Sequence, residues 1–425
     1  MHQLSRQAFL QSAVAVAAGA AGGLTPALAA WAADQTLRVT ALEPYVLQGG
    51  RCFVLVRTDA GITGLGEASP MNSVAAAKLI ETAFAPLLKD MNPLDIERCW
   101  EKLYYRTYKQ GVMGLQPEAL AAIDIALWDI LGKVTEMPLH QLLGGKRRDS
   151  VRVYASIGGG AHATPAEMAK RAEQAAVEGF TAVKVRMDYG PVTPDADVEK
   201  DLEMLREVRK AIGPEVELKY DVNNGYSVPT AIRVGKMIEE LGVVHYEEPV
   251  AQTDYAGYAQ VVEAVDVPVA AGEHEYTRWQ FRDLIDQAHV DILQPDLVKC
   301  AGISEAVKIA TLASTHHKLL CPHQTQPTIG TAANLHFTSV FVQNDMAQEL
   351  AENALKSPLH EMFTTRFEFS GGRLTVPNGP GLGLELGRAY PRGCFRSMAT
   401  PAARPISPIR PIRPITPRSP LDILS

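Results

Sequence analysis

At 425 residues, with 46% hydrophobic and 21% charged residues, the chain has the makeup of an ordinary globular protein large enough for about two or three domains. A formal net charge of −7 and the lack of a basic stripe in the folded region argue against nucleic acid as the main partner. The five cysteines are odd in number and show no CxxC spacing, so neither a disulfide framework nor a zinc site is indicated.

Residues 1–33 open with Ser5-Arg-Gln-Ala-Phe-Leu10, continue as an Ala/Gly/Val stretch to Leu24, and end in Ala27-Leu-Ala29 and Ala30-Trp-Ala32. A basic start, an apolar middle and small-residue cleavage options predict an export signal rather than a membrane anchor. The mature chain is then expected in the periplasm with no membrane span, or in the cytoplasm if the signal does not function. The segment resembles a twin-arginine signal in which Gln7 replaces the second arginine.

Residues 34–150 predict a separate α+β unit. A hairpin over 51–57 and 64–67 turns about Asp59-Ala-Gly61, and the periodicity predicts helices over 74–89, 95–109 and 117–133. The stretches 43–51 and 69–73 read as its loops.

Residues 151–365 alternate between short β-branched or aliphatic runs and segments of helical period, a pattern that requires a parallel sheet. Strands are predicted at 151–157, 182–187, 217–221, 243–247, 269–273, 291–296, 319–323 and 345–350, with helices between them. Eight such strands are the number a (β/α)8 TIM barrel needs. The rival, an open doubly wound sheet, usually carries GxGxxG after its first strand, and Gly158-Gly-Gly160 is not that fingerprint. Residues 366–390 read as strand and turn material returning to the first unit. Residues 391–425 read as a disordered Pro/Arg-rich tail, with Pro401, Pro405, Pro408 and Pro411 interleaved with Arg404, Arg410 and Arg413.

Six polar residues, Asp221, Glu247, Glu273, Asp296, His323 and Glu349, stand at or near the ends of successive strands, about 25 positions apart. A chain that ends consecutive barrel strands in ionisable groups aims them at one point. Asp221, Glu247 and Glu273 are three carboxylates with no Cys or His among them, which suits a hard cation with oxygen ligands, Mg²⁺ foremost. His245, His316, His317 and His336 have no partner in sequence and read as surface or packing residues.

At these motifs the chain resembles the enolase superfamily, in its mandelate racemase/muconate lactonizing enzyme-like branch, and within it the acid-sugar dehydratases. The resemblance rests on Asp221-Val-Asn223, Glu247-Glu-Pro249, Gly272-Glu273, Gln294-Pro-Asp296, Cys321-Pro-His323 and Ala347-Gln-Glu349, with Ala121–Lys133 and Leu142–Gly145 in the first unit. It implies a modified barrel, (β/α)7β, under an α+β capping domain, in a protein that commonly forms homo-oligomers. It implies Asp221, Glu247 and Glu273 as Mg²⁺ ligands and Asp296 with His323 as the proton-transfer pair. Glu349 would contact the substrate carboxylate and Lys299 would give electrostatic support. The resemblance also implies that Asn223 and His274 fall beside the substrate and that the loops at 43–51 and 69–73 close over it, with Tyr45, Gln48 and Arg51 as candidate contacts.

The departure lies on the second barrel strand. Racemases of the family present Lys-x-Lys there, with the second lysine as a base opposite the histidine, whereas this chain has Lys184-Val-Arg186. Arginine holds its proton above about pH 12, so a second base is missing. Lys184, Arg186 and Glu349 would then bind the substrate, and His323 would serve as base and afterwards as acid. This predicts an Mg²⁺-dependent dehydratase of a small-molecule sugar acid, aldonic or aldaric. It would take the proton alpha to the carboxylate, pass through an ene-diolate, and expel the β-hydroxyl to give a 2-keto-3-deoxy acid. Sites of this superfamily pair a Lys or His base with Mg²⁺, which stabilises the ene-diolate. Two alternatives stand: a racemase or epimerase of a 2-hydroxy acid with Lys184 as second base, and an exported, non-catalytic acid-sugar binding protein. The pairing of Asp296 with His323 speaks against the latter.

Overall fold

The structure is a computed structural model that describes residues 37–387 apart from Gln48. The expected export signal and the Pro/Arg-rich tail lie outside the described residues, as does Gln48 among the candidate contacts. Among the described residues no helix is long and apolar enough to cross a membrane.

The first unit is an antiparallel sheet of β1 (Val39–Val46), β2 (Cys52–Thr58) and β3 (Thr63–Ala68), covered by helices. β1 corrects the loop expected from Glu43. Pro44 weakens a strand reading, yet β1 is an edge strand, where a missing backbone donor is tolerated. The covering helix Leu115–Thr135 lies almost on the sheet. A Cβ at Gly64 would stand 2.1 Å from the carbonyl of Ala126, and one at Gly66 would stand 1.9 Å from that of Ala122. Only glycine permits that approach. The single helix expected over 74–89 is Ser73–Leu79 and Ala85–Leu88 joined through a π turn at Ile80–Phe84.

Eight parallel strands follow: β4 (Ser150–Ile157), β5 (Ala182–Arg186), β6 (Glu217–Asp221), β7 (Val243–Glu247), β8 (Val269–Ala271), β9 (Ile292–Leu293), β10 (Leu319–Leu320) and β11 (Gln348–Ala351). They pair in chain order from β4 to β10, and β11 pairs with β4, so last and first strands are neighbours. Among the described residues no backbone pairing joins β10 to β11. Polar contacts bridge that gap instead: Cys321 Sγ donates to Ala347 O at 3.6 Å, and Gln324 N donates to Glu349 Oε2 at 3.0 Å. A helix follows each strand from β4 to β10, whereas β11 leads into 3-10 turns and the hairpin β12 (Phe369–Ser370) and β13 (Arg373–Thr375). This is the (β/α)7β pattern. β13 pairs antiparallel with β4, and the chain then runs back to the first unit around Leu382.

Tyr154, Ala182, Ala270, Ile292, Cys321 and Ala347, from six different strands or their ends, make one buried cluster inside the barrel. The alanines leave room for the Tyr154 ring and for Lys219, whose Nζ lies 4.3 Å from that ring's centre and donates to Ala347 O at 3.0 Å. The ionisable strand ends lie beyond this layer, at the C-terminal mouth, where barrel enzymes keep their sites.

The helix Leu115–Thr135 holds the two units together through two buried acids. Asp124 accepts from Ser304 N at 2.9 Å and from Ser304 Oγ at 2.6 Å, at the start of the barrel helix Ile303–Thr315. Asp129 accepts from Leu65 N and Leu382 N, each at 2.9 Å, and from Lys133 Nζ at 2.5 Å. One carboxylate thus ties sheet, helix and returning segment. Replacing Asp129 by Ala leaves two buried N–H groups without an acceptor, and we expect a loss of about 3–5 kcal/mol. Urea unfolding with barrel and capping-domain probes measures it, and a loss below about 1 kcal/mol would contradict the assignment.

Candidate active site

Each strand-end residue expected at the site lies at the mouth of the barrel, and all six are buried. The ligand atoms of Asp221, Glu247 and Glu273 all lie within 4.8 Å of one another. Lys184, fully buried on β5, is 2.6 Å from Glu247 Oε1, 3.0 Å from Glu349 Oε1 and 3.3 Å from Asp221 Oδ2. One ammonium therefore serves three carboxylates. Asp221 Oδ2 is nevertheless buried without a hydrogen bond, as is Glu349 Oε1.

Packing carboxylates this closely has an electrostatic cost that the residues share unequally. Burial, then the charge of Glu247, pushes the Asp221 carboxyl well above the usual range, with Lys184 opposing. Burial pushes Glu247 the same way, but Lys184 and His245 outweigh it and hold the group well below that range. Burial likewise opposes ionisation of Glu273, yet His323, Lys299 and His274 bring it down to about 2. Such a cluster of buried oxygens, free of thiolate and short of positive charge, fits a hard divalent cation. A second grouping of Glu248, Glu273 and His274 shares Glu273 with the first, but it includes an imidazole and suits such a cation less well.

His323 borders this cluster beside Glu273 and Asp296. Its Nδ1 is 2.7 Å from Asp296 Oδ2, while Nε2 lies 3.2 Å from Glu273 Oε2 and 3.9 Å from Glu349 Oε2. A carboxylate only accepts, so Asp296 fixes the proton on Nδ1 and leaves Nε2 facing the site. Asp296 is itself fixed, because its Oδ1 accepts from Val298 N at 2.9 Å. Burial lowers the His323 pKa, but the charge of Glu273 and the bond to Asp296 raise it above the ordinary value.

The other expected residues fall around this centre with different orientations. Arg186 pairs with Asp188, its Nε 2.6 Å from Oδ1. Asn223 accepts through its side-chain oxygen from Asp188 N at 2.8 Å, which turns its amide towards the β5 loop. Lys299 Nζ lies 3.6 Å from Glu273 Oε1 and donates to Glu273 O at 3.3 Å. His274 Nε2 is 3.5 Å from both Glu248 Oε2 and Glu273 Oε1, and those acids raise its pKa to about 9 against the effect of burial.

The capping unit closes over the mouth. Arg51 Nη2 donates to Thr325 O at 3.4 Å, and Glu67 accepts from Gly330 N at 3.0 Å. Glu118 accepts from Asn72 at 3.2 Å and from Tyr276 of the barrel at 3.3 Å. Tyr45, a candidate contact, donates to Glu43 Oε2 at 2.9 Å.

Sequence reading missed two parts of this arrangement. His245, expected to lack a partner, is buried with Nε2 2.8 Å from Glu247 Oε2, which corrects that expectation. Its signal was available, since residues two apart on a strand point the same way. Glu248 is also buried and takes Asn224 Nδ2 at 2.7 Å. Its φ of 43° turns it off the strand, which no periodicity reports.

Gly158 offers a probe of Arg186. A Cβ there would stand 2.2 Å from Arg186 Nη2, so Gly158→Ala must displace the guanidinium. If Arg186 binds substrate, we expect kcat/KM to fall roughly tenfold, as for loss of one charge-assisted hydrogen bond, with the thermal midpoint unchanged. Unaltered kinetics would remove Arg186 from the site.

Two family matches span most of the chain. Residues 45–144 match the mandelate racemase / muconate lactonizing enzyme N-terminal domain, and residues 167–390 match the enolase C-terminal domain-like family. An arabinonate dehydratase of Saccharolobus solfataricus is 33% identical, over 78% of this chain and 87% of its own. A D-galactarolactone cycloisomerase of Agrobacterium fabrum is 35% identical, over 79% of this chain and 89% of its own. An L-rhamnonate dehydratase of Saccharopolyspora erythraea is 30% identical, over 79% and 83%. A solved mandelate racemase/muconate lactonizing protein from Paracoccus denitrificans, complexed with magnesium, superposes with a TM-score of 0.79 at 35% identity, covering 83% of this chain and 96% of that one. The chain belongs to the enolase superfamily, in its mandelate racemase/muconate lactonizing branch.

Proposed function

We propose that the chain is a sugar-acid dehydratase, a hydro-lyase that converts an aldonic or aldaric acid to its 2-keto-3-deoxy acid with Mg²⁺ held by Asp221, Glu247 and Glu273. The observation that carries this reading is the single competent base. His323 Nε2 faces the carboxylate cluster, with Asp296 fixing its tautomer at 2.7 Å. Lys184 has three carboxylate oxygens within 3.3 Å, and Arg186 never gives up its proton. Two-base racemisation has no second partner there, whereas elimination needs none.

The bound cation would neutralise charge that develops on the substrate carboxylate as the α-proton leaves. Lys184 and Glu349 line the same space, the first as a donor and counter-charge, the second as an acceptor for a carboxylate or hydroxyl proton. His323 Nε2 takes the α-proton, and Asp296 stabilises the resulting imidazolium. The same Nε2–H then protonates the departing β-hydroxyl, which leaves as water with the C–O electron pair. The enol that remains ketonises to the 2-keto acid. The magnesium-bound structural relative and the dehydratases among the curated relatives support this reading.

The test is a panel of aldonic and aldaric acids with purified protein and Mg²⁺, read by a keto-acid assay. At least one acid is expected to yield keto acid with loss of one water. Isomerisation, or exchange of the α-proton without keto acid from any substrate, would overturn dehydration.

A further inference from the structure

We propose that His245 is a positioning residue that fixes Glu247 and, through it, sets the affinity of the carboxylate trio for its divalent cation; this rests on the reading of that trio as the cation site. His245 and Glu247 lie two positions apart on β7, so both side chains enter the barrel. His245 is 1% exposed and its Nε2 is 2.8 Å from Glu247 Oε2. The carboxylate can only accept, so the ring donates through Nε2–H.

This bond separates the two oxygens of Glu247. Oε2 belongs to His245, while Oε1 faces Lys184 at 2.6 Å. The Lys184 ammonium is divided among Glu247, Asp221 and Glu349, so it does not hold any one of them in a single orientation. His245 has one partner. The arrangement is that of a metal-ligand carboxylate oriented by an outer hydrogen bond, where loss of the outer partner weakens metal binding.

A purely packing role accounts poorly for the residue. The neighbouring interior cluster is largely apolar or small, as with Ala182, Ala270, Ile292 and Ala347, and Lys219 beside it has its own acceptor in Ala347 O. An imidazole at 245 buries Nδ1 with no hydrogen-bond partner. Leu or Ile would fill the same place without leaving a polar atom unsatisfied. What the imidazole adds is the donor to Glu247.

The experiment measures Mg²⁺ binding to the full chain by titration calorimetry, with no substrate present. Gln at 245 places an amide N–H near the position of Nε2, whereas Leu provides no donor and Asn is too short to reach. We expect His245→Leu and His245→Asn to weaken Mg²⁺ binding roughly 10- to 100-fold, and His245→Gln to stay within about threefold of the parent. Should the Leu protein fail to fold, the Asn and Gln pair decides. Parent-like affinity in the folded Leu or Asn protein overturns the proposal, and so does a Gln protein as weak as Asn. A parent that binds no Mg²⁺ instead overturns the cation reading of the trio, an outcome separable from the others because it appears before any substitution is made.

Discussion

Replacing His323 by Asn is expected to reduce turnover by at least about a thousandfold while leaving the fold intact. General acid–base assistance contributes roughly 10²- to 10⁴-fold for a single role, and here one nitrogen serves first as base and then as acid. Asn suits the test because its amide approximates the Nδ1 edge of the ring and can still donate to Asp296, which lies 2.7 Å from Nδ1. Only Nε2 is lost, the atom that faces Glu273 and Glu349 at 3.2 and 3.9 Å. In deuterium oxide the variant should lose both keto-acid formation and wash-in of solvent deuterium at the α-carbon. Exchange that survives from one stereoisomer would identify Lys184 as a second base and return the racemase mechanism. A variant retaining a tenth of parental activity, with an unchanged unfolding midpoint, would remove His323 from the chemistry.

What made the six strand ends legible is their geometry. A barrel strand contributes few inward residues, and its last one reaches the mouth whatever the helices outside are doing. Asp221 and Glu247 close β6 and β7 at the expected bounds, and His323 stands out as a polar end of its run even though β10 spans only Leu319–Leu320 and the histidine lies three residues beyond it. Features set by tertiary context were less visible. The loop expected from Glu43 is part of β1, where an edge position tolerates Pro44. The π turn at Ile80–Phe84 keeps a helical hydrophobic period while widening one turn, so no residue announces it. His245 was passed over because a lone histidine between Val244 and Tyr246 resembles packing, and its partner was assigned to a different task. Asp124 and Asp129 read as parts of a helix-packing motif, and their role as acceptors for Ser304, Leu65 and Leu382 depends on segments far away in sequence. Strand periodicity reports which way a side chain points, and only the folded chain reports what meets it there.

The trio itself makes the sharpest separation between stability and activity. Replacing Asp221 by Asn should abolish turnover and Mg²⁺ binding, yet leave the metal-free protein as stable as the parent or more so. The Asp221 carboxylate is buried, and its Oδ2 accepts no hydrogen bond. Burial and Glu247 both oppose its charge, with Lys184, 3.3 Å away, as the main compensation. An amide at 221 removes one like charge from a group of three held within 4.8 Å. It also keeps an acceptor for Asn223 N, which now donates to Oδ1 at 2.9 Å. Lys184 retains Glu247 and Glu349, so no unpaired cation is left behind. The parent, by contrast, should gain stability from the ion by mass action, about 2.7 kcal/mol at a free concentration one hundred times its Kd. Urea midpoints in chelator and in excess Mg²⁺ give four numbers. The expected pattern is a large Mg²⁺ shift in the parent, none in Asp221→Asn, and a variant midpoint in chelator that is not below the parent's. A variant markedly less stable in chelator would mean that Asp221 is held by interactions within the protein rather than reserved for an ion. A full Mg²⁺ shift in the variant would move the cation to the neighbouring group of Glu248, Glu273 and His274, and the substrate carboxylate with it.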